Sequence, residues 1–395
     1  MRAPRSALPS CRVPANRASI HRRRRNLLAG ALAAFALGLA VGASSGDDER
    51  AGTPAPDPKA REAPARADAA PVDGLTLRQQ VGQLIVLRFA GTTVPGYVRD
   101  ALRDRRAAGA ILFRDNVADP TQLRALTRAL RRAGGRPIVA VDQEGGEIRI
   151  VPWAAPSASA PQQQAAGSVR ADAEAAGSAL RRLGITVSLA PVGDVPSVAG
   201  AALGGRAFAS EPDAASDAMA AAVRGWRAGG VAATAKHFPG LGGATVNTDD
   251  GPATVARSRA ELESTDLPPF AAAIAAGVPL VMVGHARYPT LDPDRIASQS
   301  QPIVGDLLRE RMGFRGVVVT DSMEARASLA TGDIATVSER AVRAGADLLL
   351  LTGRGSYAPV YQHLLAVAER SPAFRERVRE SAARVLALKR DTGPP

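Results

Sequence analysis

The chain's 395 residues exceed any small module and fit one barrel-sized domain of about 250 residues with appendages. Hydrophobic residues at 46% and charged residues at 22% exclude a disordered polyelectrolyte, and aromatics at 4% leave the core to Ala, Val, Leu and Ile. The net charge is +12, but eight arginines (Arg2, Arg5, Arg12, Arg17 and Arg22–Arg25) lie in an acid-free stretch over 1–46; without them the balance is +4, with no basic stripe interleaved with aromatics, which argues against nucleic acid as a partner.

The leader reads first. Arg22–Arg25 precede Leu27–Ala43, 17 residues without a charge, ending in the small residues Val41-Gly42-Ala43. A positive flank and an apolar run closed by small residues make an export signal, cleaved or kept as a membrane anchor. The run spans about 25 Å, short for a bilayer core but usable as an anchor. The protein is therefore expected outside the cytoplasmic membrane, secreted or tethered, touching the membrane only through residues 1–46. The only cysteine, Cys11, lies inside this leader, so the body has no disulfide, Cys-based zinc site or thiol nucleophile. Residues 47–74 are rich in Ala, Pro, Asp and Arg without apolar periodicity, which reads as a disordered linker. The folded body is expected over 75–391.

From Leu75 onward, short apolar runs alternate with amphipathic stretches. The runs are Leu84–Ala90, Gly109–Phe113, Pro137–Val141, Ile185–Ala190, Val231–Ala235, Pro279–Val283, Gly316–Thr320 and Ala346–Leu351. Helices are predicted between them, among them Asp213–Ala228, Pro302–Met312 and Val337–Ala344. Continuous apolar runs separated by helices indicate a parallel sheet covered on both sides. Eight such units predict an α/β fold, a (β/α)8 TIM-like barrel forming a single catalytic domain; a doubly wound sheet is the rival arrangement.

Polar residues cluster just after the runs: Asp142-Gln143-Glu144, Asp194, Lys236-His237, His285 and Asp321-Ser322. In a parallel barrel these emerge together at the carboxyl face, where barrel enzymes place their chemistry. Lys236 stands out because the chain has three lysines against 47 arginines. A lysine kept at a strand end points to a site that takes a compact ammonium and not a planar guanidinium.

The segments Val141-Asp142-Gln143-Glu144-Gly145-Gly146, Ala190-Pro191-Val192-Gly193-Asp194-Val195, Gly205-Arg206-Ala207-Phe208, Lys236-His237-Phe238-Pro239-Gly240 and Val319-Thr320-Asp321-Ser322-Met323 carry a resemblance. In this order they resemble the family-3 glycoside hydrolases, and more narrowly the bacterial β-N-acetylglucosaminidases that trim peptidoglycan fragments. The resemblance implies a barrel fold and a retaining exo-glycosidase. It would hydrolyse terminal β-linked N-acetylhexosamine, or a related β-glycoside, from cell-wall-derived material.

Glycoside hydrolysis uses two carboxyl functions, one attacking the sugar and one protonating the leaving oxygen. The resemblance makes Asp321 the nucleophile, although an aspartate before Ser322-Met323-Glu324 also fits a helix cap. It makes Asp142, Arg206, Lys236, His237 and His285 substrate-binding; His285 alone also reads as a supporting residue behind the site. The proton donor departs from the pattern. Such relatives carry a donor His and a partner Asp in a triplet after Lys-His-Phe-Pro-Gly-His-Gly; here Leu241, Asn247 and Asp249 replace the first His, the Asp and the donor His. Asp249, with Asp250 as the neighbouring candidate, takes the role if burial or a nearby carboxylate raises its pKa. The turn after Gly145-Gly146 departs too, with Glu147 and Ile150 where arginines are usual and Arg149 between them.

No closely spaced His or Cys set, P-loop or dinucleotide fingerprint appears, so no metal and no cofactor is expected. The resemblance implies a carbohydrate substrate as the partner, and a monomer is expected. Two other readings remain at this point. One is an extracytoplasmic carbohydrate-binding protein with a degenerate donor loop; the other is a β-glycoside phosphorylase or transglycosidase.

Overall fold

The structure is a computed structural model that describes residues 72–392; the leader and most of the linker lie outside the described residues. Eight strands carry the architecture: β1 (Ile85–Arg88), β2 (Gly109–Ile111), β3 (Ile138–Val141), β4 (Val187–Ser188), β5 (Ala232–Phe238), β6 (Leu280–Val283), β7 (Val317–Ser322) and β8 (Leu348–Leu351). Each pairs in parallel with its chain neighbours, and β8 closes on β1 through Ile85↔Leu349 and Leu87↔Leu351. Closure leaves no edge strand, which rules out the doubly wound alternative and establishes the TIM-like barrel.

Every apolar run of the sequence contributes a strand. Two strands extend further than the runs did: β5 reaches Phe238 and β7 reaches Ser322, so Lys236, His237 and Asp321 lie on strands and not after them. Asp321 is therefore not a helix cap. The next helix, Arg326–Leu329, starts four residues beyond Ser322, with Ala325 as its cap residue.

Period-two alternation sorts each strand into two faces. Val86, Ile111, Ala140, Val187, Met282, Val319 and Leu350 point inward and pack as one cluster, with Val385 and Leu388 of the last helix joining it. Leu87, Val139, Val141, Val281, Val318 and Leu349 point outward into the larger cluster shared with the helical layer. That layer includes Pro120–Ala133, Val169–Arg182, Pro212–Ala228, Ile334–Ala344 and Tyr357–Arg370. Local chemistry sets their ends: Asp119 accepts from Thr121 N and Gln122 N before Pro120, and Asp333 does the same for Ala335 N and Thr336 N. The stretch Pro302–Arg311 is helical as predicted, but its turns are wide π turns.

The body begins before Leu75. Val72 is fully buried, and Asp73 pairs with Arg379 at 2.7 Å, so the last residues assigned to the linker pack on the barrel. Among the described residues no helix is long and apolar enough to cross a membrane.

Candidate active site

Carrying the inward alternation one step above the last apolar layer generates the site. Two residues after Val86, Ile111, Ala140, Val319 and Leu350 come Arg88, Phe113, Asp142, Asp321 and Thr352, and all of them line one pocket of about 260 Å³. Lys236 continues the inward face of β5 in the same way. Arg206, His237, Asn247 and Asp249 complete the wall. The pocket thus gathers six of the seven site residues expected from sequence.

On the β3–β5 side the polar groups form one network. Lys236, 2% exposed, donates from Nζ to Asp142 Oδ1 at 2.6 Å and pairs with Glu144 Oε1 at 2.7 Å. Arg206, on the turn Gly204–Arg206, grips Glu144 with both arms, Nε to Oε2 at 2.8 Å and Nη2 to Oε1 at 2.6 Å. Burial alone would raise the Glu144 carboxyl, but the Lys236 and Arg206 charges outweigh it and bring the pKa down to about 2. Burial likewise works against the Lys236 ammonium, and Asp142 and Glu144 reverse it, so this lysine stays charged. The turn is built for the purpose. Gln143 turns away from the pocket and pins the segment 151–155 through Nε2 to Val151 O and Ala155 O, and Gly145 (φ 111°) passes where a Cβ would stand 2.2 Å from Ala158 O.

A second arrangement faces the nucleophile candidate. Asp194, 1% exposed, accepts the His237 ring at 2.7 Å on Oδ2 and the backbone N–H groups of His237 and Leu241 at 3.2 and 2.7 Å on Oδ1. The ring's other nitrogen, Nε2, then stands 3.9 Å from Asp321 Oδ2. Asp321 also accepts from Ser322 N at 2.7 Å. Burial would raise this carboxyl; His237, His285, the Ser322 N–H and Lys236 together hold it below the ordinary range.

His285 is the residue the structure separates from the rest. It is fully buried and does not line the pocket. Its Nε2 donates to Ser322 O at 2.8 Å, and Nδ1 accepts from the Ser298 hydroxyl at 2.8 Å. Burial depresses its pKa, against the opposing pull of the Asp321 charge and the Ser322 carbonyl. The expected sugar contact is corrected to support of the strand end that carries Asp321.

The loop after β5 places the two acid candidates differently. Asp249 lines the pocket at its exposed rim, and among the described residues no cation pairs with its carboxylate; its N–H bonds to Asn247 Oδ1 at 3.1 Å. Partial burial and the Asp321 charge push its carboxyl up. Asp250 is exposed and lies off the pocket lining; its backbone carbonyl accepts from Arg326. Arg149 is likewise absent from the lining, where Ile148 stands instead.

Sequence reasoning assigned no role to Glu144, Asp194 or Arg88. Glu144 was readable as the second acid of the turn opposite a lysine and an arginine. Asp194 was visible as a strand-end acid, but its pairing with His237 is a contact between residues 43 positions apart. Among the described residues no group of three or more His, Cys, Asp and Glu side chains converges to hold a metal ion.

A closed parallel barrel with paired carboxyl groups and a cationic network at its carboxyl face is the architecture of a barrel hydrolase acting on sugars. The family model for the glycosyl hydrolase family 3 N-terminal domain matches residues 76–388, and the chain belongs to that family. It is 36% identical to a β-hexosaminidase of Xanthomonas axonopodis pv. citri over 279 residues, 68% of this chain and 83% of the relative. Among solved structures it resembles a family-3 β-N-acetylglucosaminidase from Paenibacillus (TM-score 0.77, 33% identity), matching 80% of this chain and 63% of that longer one. It also resembles a β-N-acetylhexosaminidase from Beutenbergia cavernae (TM-score 0.75, 34% identity), matching 80% of this chain and 98% of that one. The chain is a glycoside hydrolase of the β-hexosaminidase type.

Proposed function

We propose that this hydrolase is a retaining exo-glycosidase that removes terminal β-linked N-acetylhexosamine through a covalent glycosyl-enzyme on Asp321. The observation that carries the reading is the opposed pair of carboxyl groups in one pocket: Asp321 held below its ordinary pKa, and Asp249 raised above it in part by the Asp321 charge. Environments that push two carboxyl groups apart assign the roles of nucleophile and acid. In the first step Asp321 attacks the anomeric carbon while Asp249 protonates the departing oxygen. In the second, Asp249 takes a proton from water as that water displaces Asp321.

Asp142, Lys236 and Arg206 support the exo reading, because they line the β3–β5 side of the pocket and offer donors and acceptors to the hydroxyls of a terminal ring. The names of the relatives support N-acetylhexosamine as the sugar. The basic leader and its apolar run support action outside the cytoplasmic membrane, on cell-wall-derived material.

The test is a slow fluorinated N-acetylglucosaminide followed by peptide mapping. The label is expected on the peptide containing Asp321, and Asp321→Asn is expected to fold normally and bind sugar while losing turnover. A label elsewhere, or a folded Asn variant with near-normal activity, removes Asp321 from the mechanism.

A further inference from the structure

The amino end of the barrel, opposite the pocket, carries a one-sided charge that the reaction does not use. The segments that lead into the four neighbouring strands β2 to β5 end in arginines: Arg105 before β2, Arg132 and Arg136 before β3, Arg181 and Arg182 before β4, and Arg227 before β5. All six are exposed. Carboxylates are scarce beside them. The helix Pro120–Ala133 carries four arginines and no acid. The acids of Val169–Arg182 and Pro212–Ala228 (Asp172, Glu174, Asp213 and Asp217) lie in the halves nearer the carboxyl face. Asp104 is taken by Arg103 and Arg106. Arg181 and Arg227 lie across the next connection, donating to Gly230 O at 2.8 Å and to Ala276 O at 3.4 Å, so their charges stay uncompensated.

Cations in a last helical turn suit the helix dipole, but Arg105 and Arg136 lie beyond the helices, in the connections themselves. Among the described residues they are the two non-glycine residues with positive φ, 57° and 47°. Glycine adopts that conformation at less cost, yet both positions hold arginine. The leader also joins the body at this end. Asp73 is fastened to the last helix, Pro372–Thr392, by its pair with Arg379, and that helix closes the amino end of the barrel with Val385 and Leu388. Only 25 residues, 47–71, separate this point from the basic leader with its apolar run. A coil of that length averages about 30 Å end to end.

We infer that this arginine belt is a docking face for an anionic phospholipid surface, holding the barrel amino end down with its pocket turned away from the membrane. The inference extends to the folded body the membrane contact expected of residues 1–46. It rests on the export reading of the leader and not on the glycosidase chemistry. Each arginine brought near an anionic surface adds attraction, and salt screens it.

The test measures vesicle binding by the full chain and needs no turnover. Vesicles of phosphatidylglycerol and phosphatidylcholine in equal parts are compared with phosphatidylcholine alone. Because the leader is basic too, two variants of equal charge are set against the wild type. Arg132→Gln/Arg136→Gln/Arg182→Gln strips the belt; Arg259→Gln/Arg295→Gln/Arg354→Gln removes three exposed arginines from connections on the carboxyl side. The belt variant is expected to bind anionic vesicles about 10- to 100-fold more weakly at low salt, and the other variant about as well as wild type. On phosphatidylcholine all three should bind alike. Hydrogen exchange on the unaltered chain gives a second reading, with the connections 104–108 and 134–137 expected to be slowed by anionic vesicles only. Equal losses in both variants would reduce the effect to net charge, and no loss in the belt variant would leave binding to the leader; either overturns the docking face. So does a belt variant that loses binding to soluble polyphosphate but not to vesicles, which assigns the belt to a soluble polyanion. Unchanged exchange in both connections overturns it independently of any variant.

Discussion

His237 joins two aspartates that are 127 positions apart in sequence: Asp194 holds its Nδ1 at 2.7 Å, and its Nε2 faces Asp321 Oδ2 at 3.9 Å. Asp194→Ala removes the acceptor of that ring and of two backbone N–H groups. Turnover is expected to fall by about 10- to 1000-fold. The acid limb of the pH profile should also move upward, because a misplaced His237 no longer helps hold Asp321 ionised. An unchanged limb in a folded variant would show that His237 does not act on Asp321.

Glu144 is the counter-charge for both Lys236 and Arg206, and its pKa of about 2 lies below the ordinary glutamate value of 4.5. A depressed carboxyl adds stability that is present above the unfolded pKa and lost as pH falls toward the folded one. Glu144→Gln should therefore cost about 3 kcal/mol at pH 7. The gap from wild type should close between about pH 4.5 and pH 2, as denaturant titrations at stepped pH would show.

As the proposed acid, Asp249 would act only while protonated, so kcat/KM should decline as pH rises through its raised pKa. Asp249→Ala should erase that basic limb. It should also cost about 10²–10⁴-fold on a poor leaving group and far less on a nitrophenyl glycoside, whose departure needs little protonation. Azide should restore nitrophenyl turnover by attacking the glycosyl-enzyme directly. Equal losses on both substrates would move the proton elsewhere.

Lys389 is buried on the last helix, donating to Gln83 Oε1 at 2.7 Å, and burial brings its amine down to about 7. Between that value and the ordinary lysine pKa the unfolded chain binds more protons, so this group makes stability rise with pH by up to about 1.4 kcal/mol per unit. Replacing it, Lys389→Met, should flatten the stability profile between about pH 7 and pH 10. A curve parallel to wild type would show that Lys389 is charged in the fold.

Eight apolar runs punctuated by helices were enough to specify a covered parallel sheet and to favour the barrel over a doubly wound sheet, because a strand buried on both faces must be apolar along its length and each run here had a helical partner to cover it. The strand-end polar residues were equally legible as a set, since parallel strands deliver all their ends to one face. The sequence also marked Lys236 by its rarity and Asp321 and Asp249 by their positions. Tertiary structure alone decided three matters. It separated Asp249 from Asp250 by loop geometry that adjacent residues cannot encode by type. It moved His285 behind the wall, because the direction of a side chain at a strand end depends on where the strand stops. And it revealed Glu144 and Asp194 as the partners and Arg88 as a further lining residue of the site, since pairing among residues of different strands is fixed by closure of the barrel and not by spacing along the chain.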